Sequence, residues 1–415
     1  MKKNLKNIVL PLMGLLLMMG LAFNTAGAEE EAPPTPEEAL LALINQARHN
    51  PLAAAAEVGL DPEQVLADLP ALAEVLQAGL SPLAVDDRLT EVAAGHTGDM
   101  FDRGYYASVS PDGVGYAERI QAAGYPAIGT GESLAMIIFA NFINPEEAAG
   151  LIFQYMYQDE LDPMQTEKRN ILDPCLREVG ISIQSGTLKL GGSRWNVYLA
   201  TVDFGSRMPC LEGEIFELIN QVRETPLETA QALGLDPETL ICDYPEWKER
   251  LIEGVPRLIY NDELGLAAET HAVDMLENGY FAAVSPDGRT VVDRVAAAAG
   301  YSGECPFEAA EMLWRACLGH DDELLVRLEE GDYGLIRQLA REMVRNMMTC
   351  ALRSGGCGEG KNLLFTADFT EIGLGVSAGL SAELETMCGD RVLLLAMDFG
   401  RRAEIETETQ AAVAE

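Results

Sequence analysis

The sequence predicts an α+β protein built from two similar domains. Apolar residues at helical spacing occupy the first two thirds of each half of the chain, and strand-like runs close each half. Helices followed by strands are typical of layered α+β domains. An internal repeat is the third observation, because the motifs of the first half return in the same order in the second.

The repeat extends over most of the chain. LINQARHNPL, which begins at Leu43, returns as LINQVRETPL from Leu218, and these two residue numbers differ by 175. YYASVSPDGVGYAER from Tyr105 aligns with YFAAVSPDGRTVVDR from Tyr280, and eight of the fifteen positions are identical. Chance similarity does not keep such an order over this length, so we interpret the chain as a duplication.

The repeat also sets the predicted domain boundaries. We place the first domain at residues 35–207 and the second at 212–402, joined by a short link around Pro209. The remaining segment, 403–415, is an acidic tail. Each predicted domain is long enough to bury a hydrophobic core of its own.

The predicted helices of the first domain rest on apolar spacing. The opening helix carries Leu40, Leu43, Ile44 and Ala47 on one face. A second helix begins after Asp86 and Asp87, because acidic residues favour a helix start. Its buried face consists of Leu89, Val92, Ala93, His96 and Met100.

Turn and strand signals complete each domain. SPDG predicts a tight turn, in which proline presets φ and the following Asp-Gly completes the reversal. The closing strands of the first domain are VGISIQ from Val179 and RWNVYLATVDFG from Arg194. Their counterparts in the second domain begin at Ile372 and Arg391.

The second domain has a longer middle than the first, at about residues 318–348. Six acidic residues between Asp321 and Asp332 are interspersed there among leucines and valines. We interpret this segment as an added, solvated helical hairpin. A lid that binds a partner over a cleft is the alternative.

The composition excludes several classes of function. Among 415 residues, 66 Asp and Glu outnumber 29 Lys and Arg, for a formal net charge of −37. Nucleic-acid binding requires clustered basic residues, so we predict no nucleic-acid partner. Because 48% of the residues are hydrophobic, the chain is predicted to be globular despite its charge.

The first 28 residues have the organisation of a signal peptide. Three lysines precede an apolar run from Ile8 to Phe23, and Ala26-Gly27-Ala28 matches the small-x-small pattern of a cleavage site. The run contains Pro11 and is short for a membrane anchor, so we expect cleavage rather than a membrane span. The mature protein is therefore predicted to be secreted, into the periplasm or the extracellular space.

Export favours disulfides among the eight cysteines. The chain has no paired CxxC motif of the kind that binds zinc. The disulfide connectivity stays open, because eight cysteines allow 105 pairings. The spacing of Cys350 and Cys357 around a glycine-rich loop is compatible with a local disulfide. The full set is Cys175, Cys210, Cys242, Cys305, Cys317, Cys350, Cys357 and Cys388.

The ordered motifs resemble the CAP superfamily, which includes cysteine-rich secretory proteins, venom antigens and plant pathogenesis-related proteins. The shared features are LINQxR, a helix ending in DM, SPDG, AGY, GE, NIL, EVG or EIG, and a final strand ending in DFG. The resemblance covers both halves almost end to end. It implies an α-β-α sandwich, of the CAP or SCP type, for each of two tandem domains.

CAP domains commonly have a cleft with two histidines and two glutamates. At the aligned positions the resemblance implies Ser108 and Glu167 in place of the histidines, and it retains Glu132 and Glu178. In the second domain the aligned residues are Ala283, Glu308, Glu359 and Glu371. Both histidines are thus replaced in both halves, whereas the acidic positions persist.

This replacement argues against a zinc site, because zinc prefers imidazole and thiolate ligands. Three adjacent carboxylates, Glu132, Glu167 and Glu178, would suit calcium, and we retain that as a weak alternative. Otherwise the sequence predicts no metal, no cofactor and no catalytic residue. The retained glutamates would then hold the cleft wall through hydrogen bonds.

Other candidate groups have structural interpretations. We expect His96 and His271 to be core histidines with satisfied hydrogen bonds, although a Ser-His-Asp triad would require Ser108 or Ser110 near His96. Two ion pairs are predicted to fasten the SPDG turns, namely Asp112–Arg119 and Asp287–Arg294.

These features favour a non-catalytic binding role outside the cytoplasm, with lipids, sterols or other surface molecules as the ligands that the resemblance implies. A hydrolase that uses the cleft carboxylates and a divalent cation is the main alternative. A structural protein of the cell envelope, made bivalent by duplication, is another.

Overall fold

A computed structural model describes residues 33–141, 143–165, 168–298, 301, 307–320, 322–353, 363–381, 383–384 and 390–402. The predicted signal peptide and acidic tail lie outside these residues. So do two of the predicted cleft positions, Glu167 and Glu359, and three cysteines, Cys305, Cys357 and Cys388.

The N-terminal half contains short and long helices interleaved with four strands. Its helices are α1 (Pro36–His49), α2 (Pro51–Glu57), α3 (Pro62–Asp68), α4 (Ala73–Ala78), α5 (Asp87–Arg103), α6 (Tyr116–Ala122) and α7 (Pro145–Glu160). Its strands are β1 (Ala84–Val85), β2 (Gly129–Ile138), β3 (Glu178–Leu190) and β4 (Ser193–Ser206).

The C-terminal half has the same succession of elements. Its helices are α8 (Cys210–Glu224), α9 (Pro226–Ala232), α10 (Pro237–Asp243), α11 (Lys248–Glu253), α12 (Asp262–Glu277), α13 (Val291–Ala297), α14 (Glu323–Glu329) and α15 (Tyr333–Ala351). Its strands are β5 (Ile259–Tyr260), β6 (Phe307–Gly319), β7 (Glu371–Leu380) and β8 (Arg391–Arg402).

Each half forms one four-stranded mixed sheet. The strand orders are β1-β3-β4-β2 and β5-β7-β8-β6, so corresponding strands occupy corresponding places. The short first strand pairs in parallel with its neighbour, and the other pairings are antiparallel. The predicted closing strands are confirmed, whereas β1, β2, β5 and β6 were not predicted.

Helices cover both faces of the N-terminal sheet. Alternate residues of β3 and β4, such as Val179 and Phe204, pack with Ile44 of α1 and Ile152 of α7. The opposite face of the sheet packs against α5, where Met100 joins one apolar cluster with β3 and β4. The period of two along each strand therefore separates the core into two layers.

The C-terminal half buries its sheet in the same way, with α8 and α15 on one face and α12 on the other. Helix α15 packs against α8 and buries Leu339, Met343 and Met347. The prediction of a solvated hairpin is therefore wrong for this helix, which is part of the core. Helix α14 has no fully buried residue, but its Leu324, Leu325 and Leu328 also pack against the core.

The repeated LINQxR motif is explained by two buried arginines. Arg48 is fully buried and donates hydrogen bonds to the carbonyl oxygens of Ser81, Ile171, Asp173 and Leu176. Arg223 contacts the equivalent backbone of the second half, including Pro256 and Leu364. Each arginine thus ties an early helix to the segment that precedes the closing strands.

A disulfide joins Cys175 to Cys210, the first residue of α8. Cys317 and Cys350 are also disulfide-bonded, and Cys242 is an exposed free thiol. The predicted Cys350–Cys357 pair falls partly outside the described residues. Among the described residues, no helix combines the length and apolar composition that crossing a bilayer requires.

Candidate functional site

Four polar side chains meet on the α5 face of the N-terminal sheet, and we name them the N-terminal cluster: His96, Arg119, Glu132 and Asp203. Strand pairing brings the two acids together, since Glu132 of β2 lies directly opposite Asp203 of β4. The basic residues come from α5 and α6. All four positions therefore depend on the sheet and the helices packed against it.

Arg119 is the cation of this cluster. It forms a salt bridge with Glu132, whose side chain has no solvent exposure. It also donates to the carbonyl oxygens of Ser108, at 2.9 Å, and Val114, at 3.1 Å. The guanidinium therefore fixes both the carboxylate and the backbone around the SPDG turn.

Asp203 and Glu132 form a carboxyl pair that requires a proton. Neither carboxylate oxygen of Asp203 receives a hydrogen bond from a nitrogen or hydroxyl donor among the described residues. Burial, reinforced by the Glu132 charge, raises the pKa of Asp203 well above its ordinary value. Burial also raises the pKa of Glu132, although Arg119 opposes that rise. We assign the shared proton to Asp203, because Arg119 favours the ionised form of Glu132.

His96 lies beside this pair without joining it. Its Nε2 is 3.1 Å from the Ala107 carbonyl oxygen, to which it must be the donor, and 3.9 Å from Glu132 Oε2. Burial first, and Arg119 second, lower the pKa of His96 to about 4, so the ring is neutral at physiological pH. The ring is thus satisfied by hydrogen bonding, as the sequence predicts for a core histidine.

The hypothetical Ser-His-Asp triad does not form. The Ser108 hydroxyl bonds to Glu132 rather than to His96, whose Nε2 is occupied by a carbonyl oxygen. Nδ1 of His96 instead lies 3.4 Å from the Tyr105 hydroxyl. Ser108 therefore has no imidazole base to activate it.

The second half contains the equivalent C-terminal cluster: His271, Arg294, Glu311 and Asp398. Glu311 of β6 lies opposite Asp398 of β8. Arg294 donates to Glu311 Oε1 at 2.8 Å and to the Ala283 carbonyl oxygen at 3.1 Å. His271 Nδ1 is 2.6 Å from the same Glu311 oxygen.

This register corrects the prediction for Glu308. The sequence alignment equated Glu308 with Glu132, but Glu308 lies opposite Arg401 and its side chain is exposed. Glu311, three residues later, is the equivalent of Glu132: it binds Arg294 and lies opposite Asp398. The alignment of the two halves therefore shifts within the segment before β6.

Glu178 and Glu371 have a different role from the one that the resemblance implies. Glu178 accepts hydrogen bonds from the Tyr125 hydroxyl at 2.5 Å and from Arg207 Nε at 2.9 Å. Glu371 accepts from the Tyr301 hydroxyl at 2.9 Å. The tyrosine of AGY thus binds the glutamate of EVG or EIG, which anchors the start of β3 and β7.

The glycine of DFG completes this arrangement in each half. A Cβ added at Gly205 would lie 2.6 Å from the Tyr125 ring, and one at Gly400 would lie 2.0 Å from the Tyr301 hydroxyl. Only glycine admits the tyrosine at these positions. Three separate motifs of the sequence, AGY, EVG and DFG, are therefore parts of one structural contact.

The predicted cleft lies between β2 and α7 and has a volume of about 440 Å³. Its wall includes Tyr106, Ser108, Glu132, Tyr155 and Asn170, but not Glu178. Asn170 Nδ2 donates to the Glu132 carbonyl oxygen at 2.9 Å. One buried acceptor atom on this wall, Asn170 Oδ1, has no hydrogen-bond partner among the described residues.

The predicted SPDG ion pairs are wrong in both halves. Asp112 pairs with Arg103 at 2.6 Å, and Asp287 pairs with Arg289 at the same distance. Arg119 and Arg294 turn inward to the buried glutamates instead. The turns themselves are confirmed, since Gly113 N and Gly288 N each donate to the serine carbonyl at 2.8 Å.

A metal centre is not formed by the residues that the structure describes, among which no group of three or more potential ligands assembles. Glu132 and Glu178 are held by different partners, and the third predicted calcium ligand, Glu167, lies outside the described residues.

Comparison with known proteins finds a family similarity in the N-terminal half. Residues 41–200 match the profile described as CAP: cysteine-rich secretory protein family. This region of the chain is therefore similar to a CAP domain. The matched region contains β2, the cleft, His96, Arg119 and Glu132, and it ends just before Asp203.

Two solved structures resemble parts of the chain. One is an extracellular protein with an SCP domain from Bacillus anthracis, with 22% identity, a TM-score of 0.22, and coverage of 30% of this chain and 34% of that one. The other is an outer surface protein from Borrelia burgdorferi, with 17% identity, a TM-score of 0.23, and coverage of 35% and 91%. The chain thus spans about a third of the Bacillus protein's length. No curated protein matches it.

Proposed function

We propose that the protein is a secreted, non-catalytic binding protein whose CAP cleft holds a small ligand. The observation that carries this proposal is the 440 Å³ cleft, on whose wall the buried acceptor Asn170 Oδ1 has no hydrogen-bond partner among the described residues. Cavities of this size commonly hold small ligands, with a few polar groups to orient them. A hydroxyl-bearing lipid or sterol, or a polar group of another surface molecule, would supply the missing donor.

The state of the reactive groups supports a binding role over catalysis. Ser108 lacks a base, and His96 is neutral with its Nε2 engaged. Glu178, the second acid of the hydrolase hypothesis, is held by Tyr125 and Arg207 away from the cleft wall. A pair of carboxylates acting on one substrate would have to share one cavity.

The wider proposal is that residues 212–402 are a second CAP domain and that residues 1–28 direct export. The sequence repeat and the matching strand order of the two sheets support the duplication. The Cys175–Cys210 disulfide supports an oxidising compartment, since structural disulfides are rare in the cytosol. Cell fractionation distinguishes the periplasm from the extracellular space.

The test is sterol and lipid binding by the mature protein, with dehydroergosterol and a fluorescent fatty alcohol as probes. Glu132→Gln should weaken binding at least about tenfold, because one wall acceptor is lost and its partners rearrange. Glu311→Gln is the matched control, since it makes the same change in the C-terminal cluster and should leave cleft binding unchanged.

Two results would overturn the proposal. Equal binding by both variants would place the ligand elsewhere. The second result is turnover of ester or peptide substrates in the presence of calcium. If a chelator and Glu132→Gln each abolish that turnover, the protein is a hydrolase rather than a binding protein.

A further inference from the structure

A second cavity, of about 720 Å³, lies between the two halves of the chain. The N-terminal half contributes Tyr125 and Ile128, and the C-terminal half contributes Glu212, Tyr260, Leu266 and Glu269. Its volume is within the range of small-molecule sites. Neither half alone encloses it, so it is distinct from the CAP cleft.

The walls of this junction cavity are held together by strong contacts. Arg207 binds Glu178 of the first half and lies 3.2 Å from Asp262 of the second. A buried salt bridge between Arg177 and Glu214 also crosses the junction, close to the Cys175–Cys210 disulfide. The cavity is therefore a built feature of the junction rather than a gap between independent bodies.

The base of the cavity carries an uncompensated acid. Glu212 is 6% exposed, and its carboxylate accepts backbone hydrogen bonds from Val376, at 3.2 Å, and from its own N–H. No basic side chain among the described residues forms an ion pair with it. The nearby charge is another acid, Glu269, and the one guanidinium on the wall, Arg207, is already shared by two carboxylates.

This arrangement favours a cationic occupant. Burial raises the pKa of Glu212 to about 7, and the charge of Glu269 adds to the rise. The ionised form of Glu212 is therefore disfavoured unless a cation lies beside it. The Tyr260 hydroxyl makes no hydrogen bond with the described residues and offers an oxygen acceptor nearby. An ammonium group would supply both the counter-charge and the donors.

The mouth of the cavity is apolar on both sides. Ile128 is 62% exposed and Leu266 is 55% exposed, and Pro126 and Ala127 continue the apolar wall of the first half. Exposed aliphatic side chains that face one cavity indicate an apolar ligand segment. The cavity thus combines an acidic base with a hydrocarbon-lined entrance.

We propose that the junction cavity binds an alkyl ammonium group, with the amine beside Glu212 and Glu269 and the alkyl chain along Ile128 and Leu266. The same chemistry is present in a free alkylamine and in the lysine side chain of a peptide. Neither source involves the CAP cleft, so this proposal stands apart from the binding function assigned to that cleft.

The experiment measures binding of octylamine, octanoate and octanol to the full mature protein by calorimetry at pH 8. Octylamine should bind at least about tenfold more tightly than octanoate or octanol, since tenfold corresponds to about 1.4 kcal/mol of charge preference. Octanoate or octanol binding as tightly as octylamine would overturn the proposal.

Variants assign the site. Glu212→Gln and, separately, Glu269→Gln should each weaken octylamine binding several-fold, whereas Glu228→Gln, an exposed acid on α9, should not. Glu269 is exposed, so its substitution tests the site without threatening the fold. Unchanged binding in both cavity variants would refute the assignment.

Two further arms separate the sources and the sites. The affinity of a short peptide with one lysine is compared with that of its lysine-acetylated form and with that of octylamine. If the unmodified peptide binds more tightly than both, the natural ligand is a protein. If octylamine binds more tightly than the peptide, the natural ligand is a free amine. Glu132→Gln should leave octylamine binding intact, and a loss there would place the amine in the CAP cleft and overturn the junction site.

Discussion

The N-terminal and C-terminal clusters have the same skeleton but a different contact between histidine and glutamate. His271 Nδ1 is 2.6 Å from Glu311, whereas His96 Nε2 is 3.9 Å from Glu132 and donates to a carbonyl oxygen instead. The arginine and the aspartate contact the glutamate in both halves. The sheet register therefore places the acid pair, and α6 or α13 supplies its arginine, while the histidine contact varies.

One difference in sequence between the halves lies directly at this contact. The first half has Ser108, whose hydroxyl bonds to Glu132, and the second half has Ala283, which has no polar side chain. We infer that the serine hydroxyl satisfies part of Glu132 and that His271 takes this role at Glu311. On this inference, the residue at position 108 or 283 decides how the buried glutamate is satisfied.

The largest expected effect comes from removing the arginine. Arg294→Met should destabilise the protein by about 3–5 kcal/mol, because it leaves a buried carboxylate without its cation. Arg119→Met should cost less, since the Arg119 side chain is 15% exposed and that of Arg294 only 3%. Urea unfolding followed by circular dichroism measures both.

The exposed pair Arg289–Asp287 provides the control for this comparison. Arg289→Met should change stability by less than about 1 kcal/mol, as is usual for surface ion pairs. If Arg119→Met cost more than Arg294→Met, burial would not be what distinguishes the two clusters.

The sequence predicted the skeleton of the fold better than its contacts. The helix beginning after Asp86 is confirmed, as is the turn at SPDG, because helix caps and turn residues act locally. Strand β2 was missed, since its first half, GTGES, is polar and its second half, LAMII, is a short apolar run, so neither half alternates. Helix α15 was misread because the acidic α14 before it dominates the segment.

The candidate site was predictable only in part. Glu132 was found through its GE motif, but Asp203 and Arg119 were treated as parts of a strand end and a turn. Glu132 and Asp203 come together through the pairing of β2 with β4, although they lie 71 positions apart in the sequence. The signal available was the conservation of the triplet between halves: Arg119, Glu132 and Asp203 each have a counterpart in the second copy.

The next effect concerns the proton on the buried aspartate. Burial and the Glu311 charge raise the pKa of Asp398 well above its ordinary value of 3.8. Above that value the unfolded chain has lost a proton that the folded chain keeps, so stability falls as pH rises toward the folded pKa. One such group contributes a slope of up to about 1.4 kcal/mol per pH unit.

Asp398→Asn should therefore flatten the decline of stability as the pH rises above 3.8, because asparagine stays neutral and still donates to Glu311. Asp203→Asn should act in the same direction in the N-terminal cluster. Chemical denaturation across this pH range measures the slopes. A slope that Asp398→Asn leaves unchanged would show that Asp398 is ionised in the folded protein.

The smallest effect separates the two histidines most sharply. A double-mutant cycle of His271→Ala and Glu311→Gln should give a coupling energy of about 1.5–3 kcal/mol, since a charge-assisted hydrogen bond joins the pair. The cycle of His96→Ala and Glu132→Gln should give less than about 0.5 kcal/mol, because 3.9 Å exceeds a hydrogen-bond distance. Adding Ser108→Ala should raise the N-terminal coupling if the serine hydroxyl keeps His96 from Glu132. An unchanged value would mean that the helix position, rather than the serine, sets the distance.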